Sequence, residues 1–180
     1  MTRVILTYAD YAALPDDGRR YELHEGELSV TPAPGTRHQL VTGNLFVTVR
    51  QHVLAHDLGA VLISPVDCIL SDTSVVQPDI LFVEAAYASR ISERAIEGAP
   101  TLAIEVLSPS TERIDRARKL DLYTRYGIAY YWIVDPAARV IDAYVLEGGV
   151  YRLATRLVGE QPAALPPFDD LFLEPAALWI

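Results

Sequence analysis

Apolar positions along the chain follow two periods. Val41, Leu45, Val49 and Val53 recur at helical spacing, which predicts a long helix from Thr36 to about Leu58 with one buried face. Thr36-x-x-Gln39 reads as its capping box and Gly59 as its stop. A second helix is expected from about Ser110 to Tyr126, stopped by Gly127. A short first one is opened by the capping box Thr7-x-x-Asp10 and ended by Pro15. Short runs rich in β-branched residues predict strands at Val61–Ile63, Val66–Leu70, Ile80–Val83, Thr101–Leu107 and Tyr130–Val134. Tyr21–Val30 reads as a hairpin about Glu25-Gly26. Val140–Leu146 and Val150–Leu157 read as another about Gly148-Gly149.

Helix, a mostly antiparallel group of strands, helix, strand and an added C-terminal hairpin together predict the α/β class, a mixed sheet flanked by helices. Runs such as Leu102–Leu107 suit central strands covered on both faces. No linker breaks the pattern, so one domain over residues 1–180 is expected.

Composition narrows the function classes. Apolar residues make up 51% of the 180, enough for a core and too many for an extended disordered chain. No run reaches the ~20 apolar residues that span a bilayer, and no leader pattern follows Met1, so neither a membrane nor a secretory route is expected. Cys68 is the single cysteine and lies in an apolar run, which suits a reduced, cytoplasmic setting. The net charge of −9 argues against tight autonomous binding to nucleic acid, although a local basic patch can still steer phosphate.

The cations are unevenly chosen: of 15, only Lys119 is a lysine. A compact ammonium has a pKa that can be tuned beside a reacting water, which a guanidinium does poorly. The competing reading of Lys119 is chance, with its stem over apolar surface and its ammonium in water. Two carboxylates stand out. Asp79 follows Gln77-Pro78 at the start of a strand, and Glu105 lies inside Ala103-Ile104-Glu105-Val106-Leu107. A carboxylate within an apolar strand is costly unless paired, protonated or bound to a metal. On neighbouring strands the two would make a hard-cation site suited to Mg²⁺ or Mn²⁺. Taken alone, Asp79 also reads as a strand-edge residue.

His38 falls in the first turn of the long helix, where it could meet phosphate or be an ordinary surface histidine. His52 and His56 have a spacing that can hold zinc. Without a flanking glutamate or a third ligand nearby they read as an exposed helix face. Arg113, Arg116, Arg118 and Arg125 read as a salt-bridged helix face with Glu112, Asp115 and Asp121, or as a phosphate-steering patch. Asp135-Pro136 reads as a turn, and Tyr130, Tyr131 and Trp132 as core or dimer-interface aromatics.

Pro78-Asp79 before one strand and Glu105 in the next resemble the PD-(D/E)xK nuclease signature, except that Leu107 stands where its lysine belongs. The longer text resembles the Uma family of restriction endonucleases over about residues 7 to 175. That text comprises Tyr21-Glu22-Leu23-x-x-Gly26-Glu27-Leu28, Arg37-His38-Gln39, Gln77–Val83, Gly98-Ala99-Pro100, Ile104–Thr111, Lys119-Leu120-x-Leu122-Tyr123 and Tyr131–Pro136. The resemblance implies a restriction-endonuclease-like fold and metal-dependent hydrolysis of nucleic acid, with DNA preferred over RNA. It implies Asp79, Glu105 and the Val106 carbonyl around Mg²⁺ or Mn²⁺, with the signature lysine moved onto the following helix at Lys119. There it would orient or help deprotonate the attacking water. It also implies an upstream acid at Glu22, whose alternative is an exposed strand glutamate, and a place for His38. A homodimer would fit two-strand cleavage, with Leu171-Phe172-Leu173 and Trp179-Ile180 as packing candidates. A catalytically inactive interaction module keeping the same fold is the alternative.

Overall fold

The computed structural model describes residues 4–108 and 118–179. After α1 (Tyr8–Ala12) come β1 (Arg20–His24), β2 (Glu27–Thr31), α2 (Thr36–Ala55), β3 (Gly59–Ile63), β4 (Asp67–Ser71), β5 (Ser74–Val76) and β6 (Ile80–Glu84). A 3₁₀ segment (Ala85–Arg90) leads to β7 (Ala95–Glu97) and β8 (Leu102–Val106). Then follow α3 (Leu120–Arg125), β9 (Tyr130–Asp135), β10 (Val140–Glu147), β11 (Val150–Val158), β12 (Ala163–Leu165), β13 (Phe168–Leu173) and α4 (Pro175–Leu178). No described helix is long and apolar enough to cross a membrane.

The strands form two large sheets, one of six in the order β11-β10-β9-β8-β6-β3 and one of five in the order β2-β1-β5-β4-β7, plus the pair β12-β13. Most pairs are antiparallel, but β8–β9 and β4–β7 run parallel, so both large sheets are mixed.

Alternation along the central strands explains why the six-stranded sheet is covered twice. Ile80, Phe82, Leu102, Ile104 and Val106 point to the face where α2 packs through Val41, Leu45, Val49 and Val53. Leu81, Val83 and Ala103 point to the opposite face, against Cys68, Val76 and Ile96 of the other sheet and Leu122 and Tyr123 of α3. Glu105 shares the parity of Ala103, and Asp79 that of Leu81. The pairing Ile80↔Ile104 therefore sets the two acids opposite one another at the next register position.

Several elements differ from the sequence reading. The capping box at Thr36 does not form: Gly35 is the N-cap in an extended conformation with no side-chain cap, so Thr36 is the first helical residue. The box at Thr7 and Asp10 does form. Gly59 opens β3 and does not stop α2. Its φ of +144° and its approach to the β6 backbone, where an added Cβ would meet the Val83 carbonyl at 2.2 Å, require glycine. The sequence pattern does not predict strands β5, β7, β12 and β13 or helix α4. The three-residue strands among them have no period to read. Of the second helix, only the part from residue 118 lies within the described residues, and Glu112, Arg113, Asp115 and Arg116 lie outside them.

Leu173 belongs to the chain's own core, and Leu171 and Trp179 pack against it. Only Phe172 of that candidate dimer surface is exposed, and Ile180 lies outside the described residues. Tyr131 and Trp132 are fully buried core residues. Asp135 caps the turn after β9 by accepting from the amides of Ala137 and Ala138.

Candidate active site

The acids opposed on β6 and β8 meet residues from three other elements. β1 brings Arg20, Glu22 and His24 at a period of two, so all three project from one face of the strand. Its opposite face places Leu23 in the core at 0% exposure. The first turn of α2 brings His38, and the start of α3 brings Lys119 and Tyr123.

All of these groups are bonded. Asp79 Oδ1 accepts from Arg20 Nη1 at 3.1 Å. Its Oδ2 lies 3.1 Å from His38 Nε2 and accepts from the Val106 amide at 2.9 Å. Glu105 Oε1 accepts from Lys119 Nζ at 2.9 Å and from the Tyr123 hydroxyl at 2.6 Å. Lys119 Nζ also lies 3.1 Å from Glu22 Oε1, which accepts from the Gln77 amide at 2.7 Å. Glu22 Oε2 is 3.2 Å from His24 Nε2. Arg20 reaches on to the Gln77 carbonyl.

Burial decides how these contacts behave. Glu22 and Glu105 are each 2% exposed, Lys119 3% and Asp79 4%, so the charges interact at low effective dielectric. For Glu22, burial pushes the carboxyl pKa up, but Lys119, His24 and Arg20 outweigh it and hold it well below the usual range. For Asp79, burial likewise pushes up and is outweighed by the His38 hydrogen bond and by Arg20, so the net direction is down. Burial lowers the Arg20 guanidinium, and the charges of Asp79, Glu22 and Glu105 more than restore it. The Tyr123 hydroxyl is driven well above its ordinary value, first by burial and then by Glu105 and Glu22, so it stays a donor.

Between these side chains is a cavity of about 20 Å³, lined by Arg20, Glu22, Asp79, Glu105 and Lys119 among others. That is room for one water-sized occupant. It adjoins a groove of about 680 Å³ with which it shares Arg20, His38 and Asp79. Among the described residues, Glu22, Asp79 and Glu105 set three negative charges against the two fixed positive ones of Arg20 and Lys119. The imbalance of one, the ion-sized space and the all-oxygen acidic donors suit a hard divalent cation.

The structure thus brings together Glu22, His38, Asp79, Glu105, Lys119 and the amide of Val106. Glu22 is not an exposed strand residue, and His38 turns its ring to Asp79. Lys119 does not lie over the surface with its ammonium in water. Sequence reasoning misses Arg20, His24 and Tyr123 as site residues. The spacing Arg20-x-Glu22-x-His24 in a strand is the signal for the first two, since polar groups at period two share one face. Arg118 pairs with Glu27, and Arg125 with Glu25 and Asp121, so these two make the salt-bridged surface. His52 corrects the exposed-face reading of the His52–His56 pair: it is 9% exposed and faces Asp170.

The family model Uma2, described as "Putative restriction endonuclease", matches residues 8–175. A crystal structure described as "a putative nuclease belonging to DUF820 from Anabaena variabilis" superposes with a TM-score of 0.79 at 19% identity, covering 97% of each chain. At that identity the likeness establishes a shared fold. No curated protein matches the chain.

Proposed function

Because the chain belongs to the Uma2 family over nearly its whole length, we propose that it is a divalent-metal-dependent endonuclease of the PD-(D/E)xK type acting on nucleic acid, DNA in preference to RNA. The observation that carries the reading is the placement of Lys119 Nζ on Glu105, beside the opposed Asp79. The helix-borne lysine thereby reaches the site that Leu107 leaves empty of charge.

In this reading Asp79 and Glu105 hold Mg²⁺ or Mn²⁺, with the Val106 carbonyl as a further ligand on the family pattern. When bound, the ion supplies Lewis-acid stabilisation of the charge that develops on the phosphoryl oxygens. Lys119 fixes the attacking water by hydrogen bonding and favours the hydroxide as the water's proton leaves to solvent. The new P–O bond forms as the bond to the departing ester oxygen breaks, and that oxygen takes up a proton. Glu22, saturated by Gln77, His24 and Lys119, positions the lysine. His38 and Arg20 orient Asp79. The adjoining groove, with Arg19 and Arg20 on its wall, is the path proposed for the phosphate backbone.

The net charge of −9 favours one rival, an inactive module that keeps the fold. Crystals soaked in millimolar Mn²⁺ separate the two. Anomalous density between Asp79 and Glu105 is expected for the nuclease, and its absence favours the module.

A further inference from the structure

We propose that His52, His56 and Asp170 form a second metal site, for a divalent ion of the zinc class, which pins the β12–β13 hairpin to helix α2. It shares no residue with the candidate active site and does not depend on the nuclease reading.

His52 and His56 are one turn apart on α2, with ring centroids 4.4 Å apart. Asp170 comes from β13 and faces both rings. Its Oδ1 lies 3.2 Å from His52 Nε2 and its Oδ2 3.8 Å from His56 Nε2. One ligand atom from each residue falls within 4.8 Å of the others. Ligands of a tetrahedral zinc sit ~3.3 Å apart, given bonds of about 2.0–2.2 Å, so small side-chain rotations would close the set.

Two further observations point to an ion. His52 is 9% exposed, yet its Nε2 has no hydrogen-bond partner among the described residues. The approach of Asp170 meets the distance of an ion pair but not hydrogen-bond geometry. A buried ring nitrogen left in that state is costly unless something else is bound to it. In addition, His56 Nδ1 lies 2.9 Å from the His52 carbonyl. A carbonyl only accepts, so Nδ1 is the donor, and in the neutral imidazole the lone pair is then on Nε2, toward Asp170. A backbone carbonyl is the usual partner that fixes a metal-ligating imidazole in this way.

The donor set selects the ion. Two imidazoles and one carboxylate suit Zn²⁺, Cu²⁺ or Ni²⁺ and suit Mg²⁺ poorly. The side chains of His56 and Asp170 are 50% and 68% exposed, so solvent can supply the remaining ligands. The consequence is mechanical. β13 already touches α2 through Phe168, whose ring lies 5.5 Å from that of His52. An ion shared by the helix and the strand would lock that contact.

The test is zinc titration of the metal-free full chain by calorimetry, together with thermal unfolding. Exposed ligands are mutated so that the core is spared. Wild-type and Asp79→Asn chains are expected to bind one zinc at this site and to gain about 5 °C or more in Tm near saturation. His56→Gln and Asp170→Asn are expected to lose at least about tenfold in affinity and most of that gain, and Mg²⁺ is expected not to reproduce it in Asp79→Asn. The proposal is overturned if zinc leaves the wild-type Tm unchanged, if both ligand variants respond as the wild type does, or if Asp79→Asn alone abolishes the effect.

Discussion

Lys119 Nζ rests 2.9 Å from Glu105 Oε1, and both side chains are buried. Leu107, just past the end of β8, is a buried apolar residue. The charge therefore arrives from the start of α3, and the same ammonium spans to Glu22 at 3.1 Å. One cation thus separates two buried carboxylates contributed by different sheets, β1 in the five-stranded one and β8 in the six-stranded one.

Removing that cation should be costly in a pH-dependent way. In Lys119→Met, Glu22 and Glu105 lose the charge between them, and a loss of about 3–5 kcal/mol at pH 7 is expected from an uncompensated buried charge. The loss should shrink toward pH 5, because one carboxylate can then take up a proton. Urea unfolding at the two pH values checks this, and a pH-independent loss would contradict it.

Tyr123 makes a narrower claim. Its hydroxyl donates to Glu105 Oε1 at 2.6 Å and is fully buried. Tyr123→Phe keeps the ring and deletes one donor, so about 1–2 kcal/mol should be lost with the fold unchanged. Denaturant midpoints at constant m-value read this directly.

The low carboxyl pKa values of Glu22 and Asp79 predict the shape of acid unfolding. Groups held below their unfolded values add stability that is complete above about pH 4.3 and disappears as the pH falls toward their folded values. The wild type should therefore lose stability steeply between about pH 4 and pH 2, and Glu22→Gln less steeply, since it has one such group fewer. Equal slopes would mean that Glu22 is not held ionised.

Gly59 tests the packing of the β3–β6 edge. At φ +144°, with the Val83 carbonyl 2.2 Å from where a Cβ would stand, Gly59→Ala must displace backbone. A loss above about 3 kcal/mol is expected. Gly148→Ala has open space around it and only a φ of +58° to strain, so about 1–2 kcal/mol is expected there. Comparing the two midpoints is sufficient.

Much of this site is legible in the sequence because burial of charge leaves a trace. Glu105 stands out as an acid inside an apolar strand, and Lys119 as the single lysine. In the fold they are buried against each other. The partners that escape sequence reasoning are those whose signal lies in the fold. Arg20 and His24 share a face with Glu22 by the strand's period of two, but that this polar face is turned inward shows only in the fold. Asp170 meets His52 and His56 from a strand far along the chain, in a two-stranded hairpin with no readable period. The capping residue of α2 lies one position before the one its sequence suggests, because Gly35 can cap without a side chain.

The central claim is that Asp79, Glu105 and Lys119 act together on a phosphodiester. It is tested most directly by plasmid cleavage in Mg²⁺ or Mn²⁺, with and without chelator, by the wild type and by Asp79→Ala, Glu105→Ala and Lys119→Ala, each shown folded by circular dichroism. The wild type should cut only with the metal, and each variant should fall by roughly 10³-fold or more. Metal-independent cutting, or cutting that persists in all three variants, would contradict it.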